Sequence, residues 1–206
     1  MTIARFAGFA MAALAGCGPS GPRTDEERAY QALFDETVAL RGRYAAAVET
    51  PPGDLPSGVQ VYDGTAVINL ATPTRSVLIG DAQLVAGFAT NVVAGSASNF
   101  VGTVDGGKVA SYAGSLTIDA GSINTSRDFV VQGDVGGVLT GGGGALPDVV
   151  EIDGRILGNF LGPNAEAIEA HVQDSTVFTL NGTALPGGAP GPGNGSGNGL
   201  SILVER

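Results

Sequence analysis

One His, one Cys and four Tyr are the residues of this 206-residue chain best suited to ligating a metal or attacking a substrate. A Ser-His-Asp triad would have to use His171, and no G-x-S-x-G elbow exists to pair with it. His171 falls on the polar phase of an alternating segment, which reads as a solvated histidine, with haem ligation as the alternative. Tyr62 and Tyr112 fall on apolar phases and read as core residues with hydrogen-bonded hydroxyls, with iron ligation as the alternative. A single Cys and a single His cannot assemble a Cys/His zinc site, a C-x-x-C pair or an internal disulfide. The runs Gly141 to Gly144 and Gly191 to Gly199 lead into no helix and contain no G-x-x-x-x-G-K-[ST], so they read as hairpin loops rather than phosphate cradles. The expectation is a protein without catalytic residues, metal site or cofactor, and not an enzyme.

Cys17 is the exception, because of where it stands. Met1 to Gly16 carries a charged start with Arg5, an apolar run from Phe6 to Leu14, and then small residues. That is the layout of a secretory signal, and the run is too short to span a bilayer. It ends in Leu14-Ala15-Gly16-Cys17, which resembles the bacterial lipobox, where cleavage precedes a Cys whose thiol then carries diacylglycerol. The competing reading is an ordinary signal peptide with a stray Cys. A free thiol is a liability in an oxidising compartment, so its placement at the processing site favours the lipobox. Residue 18 is Gly rather than the Asp that retains such proteins at the inner membrane, which points to the outer membrane. Several acyl chains would supply an anchoring strength that one chain lacks.

The elements that would carry any binding surface come next. Ten Lys and Arg against twenty Asp and Glu give a net charge of −10 with no basic cluster, so a nucleic-acid backbone would be repelled. Thr24-Asp25-Glu26-Glu27 has the form of a helix N-terminus, with a Glu three residues after the cap and acids at the positive end of the dipole. Apolar residues at Tyr30, Leu33, Phe34, Val38, Leu40 and Tyr44 predict one amphipathic helix from about Asp25 to Ala47, ended by Thr50-Pro51-Pro52-Gly53. Its stripe must pack either on this protein's own sheet or on a partner.

From Ser57 onward the period becomes two. Leu78, Ala82, Leu84, Ala86 and Phe88 alternate with Asp81, Gln83 and their neighbours. Tyr112, Leu116 and Ile118 alternate with Ser111, Ser115 and Thr117. Phe129, Val131, Val135 and Leu139 stand opposite Gln132, Asp134 and Thr140, and Val150, Ile152, Ile156 and Phe160 opposite Glu151, Asp153 and Arg155. One face is apolar and the other wet. Segments near 58–70, 76–88, 91–101, 109–118, 128–140, 150–160, 170–180 and 199–205, joined by short turns except across 186–199, predict an all-β fold: an eight-stranded antiparallel up-and-down barrel preceded by the helix. Aromatics are 6% of the chain with no Trp, too few for the girdles of a transmembrane barrel, so a soluble barrel with a filled interior is expected. Gly80, Gly114, Gly133, Gly154 and Gly158 on the apolar phase either ease strand coiling or open room for a ligand. The long, nearly uncharged stretch 186–199 is either a partner-contact surface or a tolerated insertion.

The segment Asp153-Gly154-Arg155-Ile156-Leu157-Gly158-Asn159-Phe160-Leu161-Gly162-Pro163-Asn164-Ala165-Glu166-Ala167-Ile168 is the most specific stretch of the chain. A strand would close at Phe160, Gly162-Pro163 would turn it, and Pro163 would start a short helical turn before the chain re-enters the sheet. With Tyr62-Asp63-Gly64-Thr65-Ala66, Gly80-Asp81-Ala82-Gln83-Leu84 and Gly95-Ser96-Ala97-Ser98-Asn99-Phe100, it resembles the β-barrel domain of the transferrin-binding protein B superfamily of surface lipoproteins, over about Ser57 to Arg206. Where that family continues with a Gly pair, this chain reads Glu169-Ala170. Barrels of that kind bind complement regulator, heparin, haemoglobin or haem, so the resemblance implies binding without naming the ligand.

The expected organisation is a lipoprotein signal peptide at 1–16, a lipidated Cys and tether at 17–24, helix and linker at 25–50, and a transferrin-binding protein B-like barrel at 57–206. The expected function is that of an outer-membrane lipoprotein, lipid-anchored and surface-exposed. It would bind, without catalysis, an extracellular macromolecule such as a host or environmental protein, or a haem or iron carrier. The alternative is a structural or assembly lipoprotein facing the periplasm and supporting an envelope complex through its helix.

Overall fold

The computed structural model describes residues 23–206 except 75, 125–129, 143, 145 and 186–196. Cys17, Phe129 and most of the 186–199 stretch lie outside the described residues.

Thr24 caps α1 (Asp25–Tyr44) through the full capping box: its hydroxyl accepts from the Glu27 amide, and the Glu27 carboxylate accepts from the Thr24 amide. The helix ends three residues before the expected Ala47, with Arg41 and Arg43 in its last turn at the negative end of the dipole. Its docked face differs from the expected stripe at one position. Thr37 is buried and hydrogen bonds to Thr65 at 3.0 Å, while Val38 is 48% exposed. A β-branched polar residue fits this narrow contact because its hydroxyl also donates to the Leu33 carbonyl one turn back.

Ten strands follow: β1 (Val59–Leu70), β2 (Ser76–Gly87), β3 (Val92–Thr103), β4 (Ala110–Ile123), β5 (Val131–Gly141), β6 (Asp148–Leu161), β7 (Ala167–Val172), β8 (Val177–Leu180), β9 (Thr183–Ala184) and β10 (Gly199–Glu205). The hydrogen-bonded order runs β5-β4-β3-β2-β1-β10-β7-β6, and pairing of β5 with β6 closes the circle into an eight-stranded antiparallel barrel. Closure removes the exposed edges that an open sheet of this size would leave.

The expected seventh strand at 170–180 is two pieces. β7 and β8 both pair antiparallel with β6, β7 with its second half and β8 with its first, so they form one stave interrupted at 173–176. The break is tied back by the Gln173 amide to the Arg155 carbonyl and by the Thr176 amide to the Gln173 carbonyl. β9 folds back on β8 as a short hairpin.

Two irregularities switch the side-chain phase within a strand. In β3 the inward residues are Val93 and Ala97 before Asn99, and Phe100 and Gly102 after it. Asn99 has φ 55° and its amide donates to the Asp81 carboxylate at 2.8 Å. It is a β-bulge, and Asn tolerates its left-handed backbone better than most residues. A second register shift lies between Asp119 and Ser122, and it lets β4 continue to Ile123, beyond the expected 118.

The barrel interior holds the main apolar core, including Tyr62, Ile68, Leu78, Leu84, Phe100, Leu116, Leu139, Ile152, Phe160 and Phe178. The outer wall carries the exposed side chains Asp63, Asp81, Gln83, Asp119, Asp134, Glu151, Asp153 and Arg155. That is the reverse of a lipid-spanning barrel, whose outer band is apolar. α1 lies across the outside, against β4, β3, β2, β1 and β10. There Leu40 packs with Leu161, Ala167 and Leu203 in a second apolar cluster. Burying Leu40 stabilises this contact by roughly 2 kcal/mol.

Candidate functional site

At one end of the barrel Tyr62 is fully buried and its hydroxyl donates to the Ala165 carbonyl at 2.9 Å. Its ring centroid is 6.2 Å from that of Phe160, which lies 5.1 Å from Phe88. Burial pushes the Tyr62 hydroxyl up to about 12. The carbonyl it needs is presented by the β6–β7 turn, where Gly162, Asn164 and Ala165 all have positive φ. The turn is therefore left-handed, and the short helical turn expected from Pro163 is absent; Pro163 sits exposed at its tip. Thr50 anchors the same turn, its hydroxyl donating to the Gly162 carbonyl at 2.6 Å.

Tyr112 lies at the opposite end. Its hydroxyl is 3.5 Å from the Asp148 carboxylate, at the start of the 14-residue strand whose other end abuts the turn held by Tyr62. Burial first, and the Asp148 charge second, push its hydroxyl pKa upward. Both tyrosines are thus core residues with bonded hydroxyls, as their phase predicts, and the barrel's length keeps them apart.

His171 faces outward from β7, so the three candidate side chains do not meet. Its Nε2 is 3.4 Å from the Glu169 carboxylate, and its backbone partners across the sheet are Ser201 and Leu157. The hydrogen bond to His171 holds Glu169 below the usual carboxylate range, against the opposing effect of burial. Arg41 comes down from α1 and donates from Nη2 to Ser201 Oγ at 2.8 Å. Burial lowers the Arg41 pKa, and the charge of Glu169 partly offsets this. Sequence patterning missed this Arg41–Glu169–His171–Ser201 cluster, because its members come from a helix and two strands that only the docked helix brings together. The arrangement fastens the helix to the wall.

The inward glycines are close-approach positions. A Cβ at Gly80 would lie 2.5 Å from the Ser98 carbonyl oxygen and 2.8 Å from the Phe100 ring. At Gly158 it would strike the Glu169 carbonyl and Ala170, and at Gly154 the Thr176 side chain. Gly133 is opposed by the Asp119 carbonyl and Gly121, each at 3.1 Å. Backbone and side chains occupy the space, so the glycines serve strand packing and do not make room for a ligand. Gly114 departs from the expected inward set: it is exposed and has φ 106°, beside the register shift between β3 and β4.

The fold and its polar clusters thus define a closed antiparallel barrel with a packed interior and an externally docked helix. Comparison of the chain with models of protein families, with curated proteins and with solved structures finds no match.

Proposed function

We propose that the protein is an outer-membrane lipoprotein, anchored through Cys17, whose barrel binds an extracellular macromolecule through its outer wall, rim and loops, without catalysis. The observation that carries the reading is the filled interior: Tyr62, Phe100, Phe160 and Phe178 are fully buried inside the closed barrel, which leaves recognition to the outside. The packed lumen and the separation of Tyr62, Tyr112 and His171 favour a macromolecular ligand over haem or iron. The Leu14-Ala15-Gly16-Cys17 sequence supports the anchor, and the resemblance of residues 153–168 to the transferrin-binding protein B superfamily supports the surface role. The alternative, a periplasmic assembly role exercised through the helix, is less favoured because Leu40 of the helix is buried against Leu161, Ala167 and Leu203 of its own barrel.

Protease treatment of intact cells tests the orientation. Digestion of the barrel before the outer membrane is broken is the expected result; protection until lysis would overturn surface exposure.

A further inference from the structure

We propose that Asn181 is a site of spontaneous chemical modification: its side-chain amide condenses with the Gly182 backbone, ammonia leaves, and the aspartate or isoaspartate that results loosens the β8–β9 hairpin from β6. Nothing in this reaction depends on what the barrel binds.

Asn181-Gly182 is the two-residue loop between Leu180 and Thr183, which face each other across the β8–β9 ladder. Both loop residues have positive φ, 53° and 76°, the signature of a type I′ turn. Both are exposed, and a Cβ built on Gly182 would meet nothing within 4 Å. The Gly182 nitrogen is therefore unshielded by any side chain, its own included. Its strand β9 is only two residues long, so opening this hairpin locally costs little. Asn198-Gly199 is the contrasting pair: Asn198 is fully buried, and its Oδ1 accepts from the Ala71 amide at 2.7 Å. Asn194-Gly195, the remaining Asn-Gly pair, lies outside the described residues.

In the reaction the Gly182 nitrogen bonds to Asn181 Cγ and gives up its proton. The Cγ–Nδ2 bond breaks, and ammonia carries that proton away from a cyclic succinimide. Water, the co-reactant, then opens either ring carbonyl and leaves aspartate or isoaspartate at residue 181.

The consequence follows from what Asn181 holds. It stands in for a strand residue opposite Val149: its backbone amide donates to the Val149 carbonyl and its Oδ1 accepts from the Val149 amide, each at 2.8 Å. Its Nδ2 donates to the Asp148 carboxylate at 3.4 Å. Conversion replaces that donor by a carboxylate, so like charges face each other where a hydrogen bond stood. Isoaspartate also adds a carbon to the backbone, which lengthens a turn whose size sets the Leu180–Thr183 register. The other oxygen of Asp148 is 3.5 Å from the Tyr112 hydroxyl, so the repulsion reaches the core at that end of the barrel.

The test is to incubate the purified full chain at neutral pH in water labelled with heavy oxygen, sampling over time by tandem mass spectrometry and by hydrogen exchange at the Val149 amide. Label is expected to enter residue 181 about fivefold faster than residue 198 or more, as a mixture of aspartate and isoaspartate, because burial and hydrogen bonding hold Asn198. In the converted molecules the protection of the Val149 amide is expected to fall by about tenfold. Asn181→Asp makes one product directly and is expected to lower that protection without incubation. Residue 198 reacting as fast as residue 181, an unmodified residue 181, or conversion that leaves the Val149 amide protected would each overturn the proposal.

Discussion

Tyr62 shows how much rests on one polar atom in an apolar barrel. Its hydroxyl donates to the Ala165 carbonyl in a turn of positive-φ residues. Tyr62→Phe is expected to cost about 1 to 3 kcal/mol by leaving that buried carbonyl unpaired, measured by chemical denaturation. The pH dependence follows from the same bond. The folded hydroxyl is raised from 10.0 to about 12, so the neutral form is the one the fold favours. Its stabilising contribution is complete below about pH 10 and is lost as pH rises towards 12. An alkaline unfolding series should show this fall in the parent chain and a smaller one in Tyr62→Phe, with Tyr112 and Tyr44, both also raised by burial, contributing to the remainder. At Gly158 a side chain would meet Glu169 backbone and Ala170, so Gly158→Val is expected to destabilise by at least roughly 1 to 3 kcal/mol. Unchanged thermal stability would contradict the inward placement of this position. These residues were legible as core from phase alone, but their partners were not, since Ala165 and Glu169 reach them through a turn and a neighbouring strand.

At the scale of elements, the helix start and most strands could be read directly, because capping and alternation are local. Thr24→Ala is expected to lower stability by about 1 kcal/mol through loss of the capping box, and Leu40→Ala by about 2 to 5 kcal/mol through the cavity beneath the helix. Two equal, small losses in a denaturation series would mean that the helix is not docked through Leu40. The places where the reading departed are interruptions of the regular ladder. The phase switch at Asn99 and the extension of β4 past Asp119 are bulges, in which residues drop out of register, and the break between β7 and β8 is a turn within one stave. A period-two pattern cannot announce its own interruption. Val38 and Thr37 exchanged roles for a similar reason: helix periodicity sets a broad face, and the narrow line of contact within it depends on what the wall presents.

For the whole molecule, Cys17→Ala is expected to shift the protein from the membrane fraction to the soluble fraction; retention in the pellet would contradict lipid anchoring. A haem titration of the chain is expected to give no saturable Soret shift, since the side chains that would ligate iron lie at opposite ends of the barrel and on its outside. The sequence by itself determined the antiparallel barrel, its apolar inner phase, the capped helix and the placement of the only Cys in a lipobox-like run, because these are encoded by neighbours a few residues apart. The docking of the helix, the joining of Arg41, Glu169, His171 and Ser201 beneath it and the packed interior at the inward glycines were decided only by the tertiary structure. Each depends on strand register and closure, which bring together residues as far apart as Arg41 and Ser201, and no local pattern carries that information.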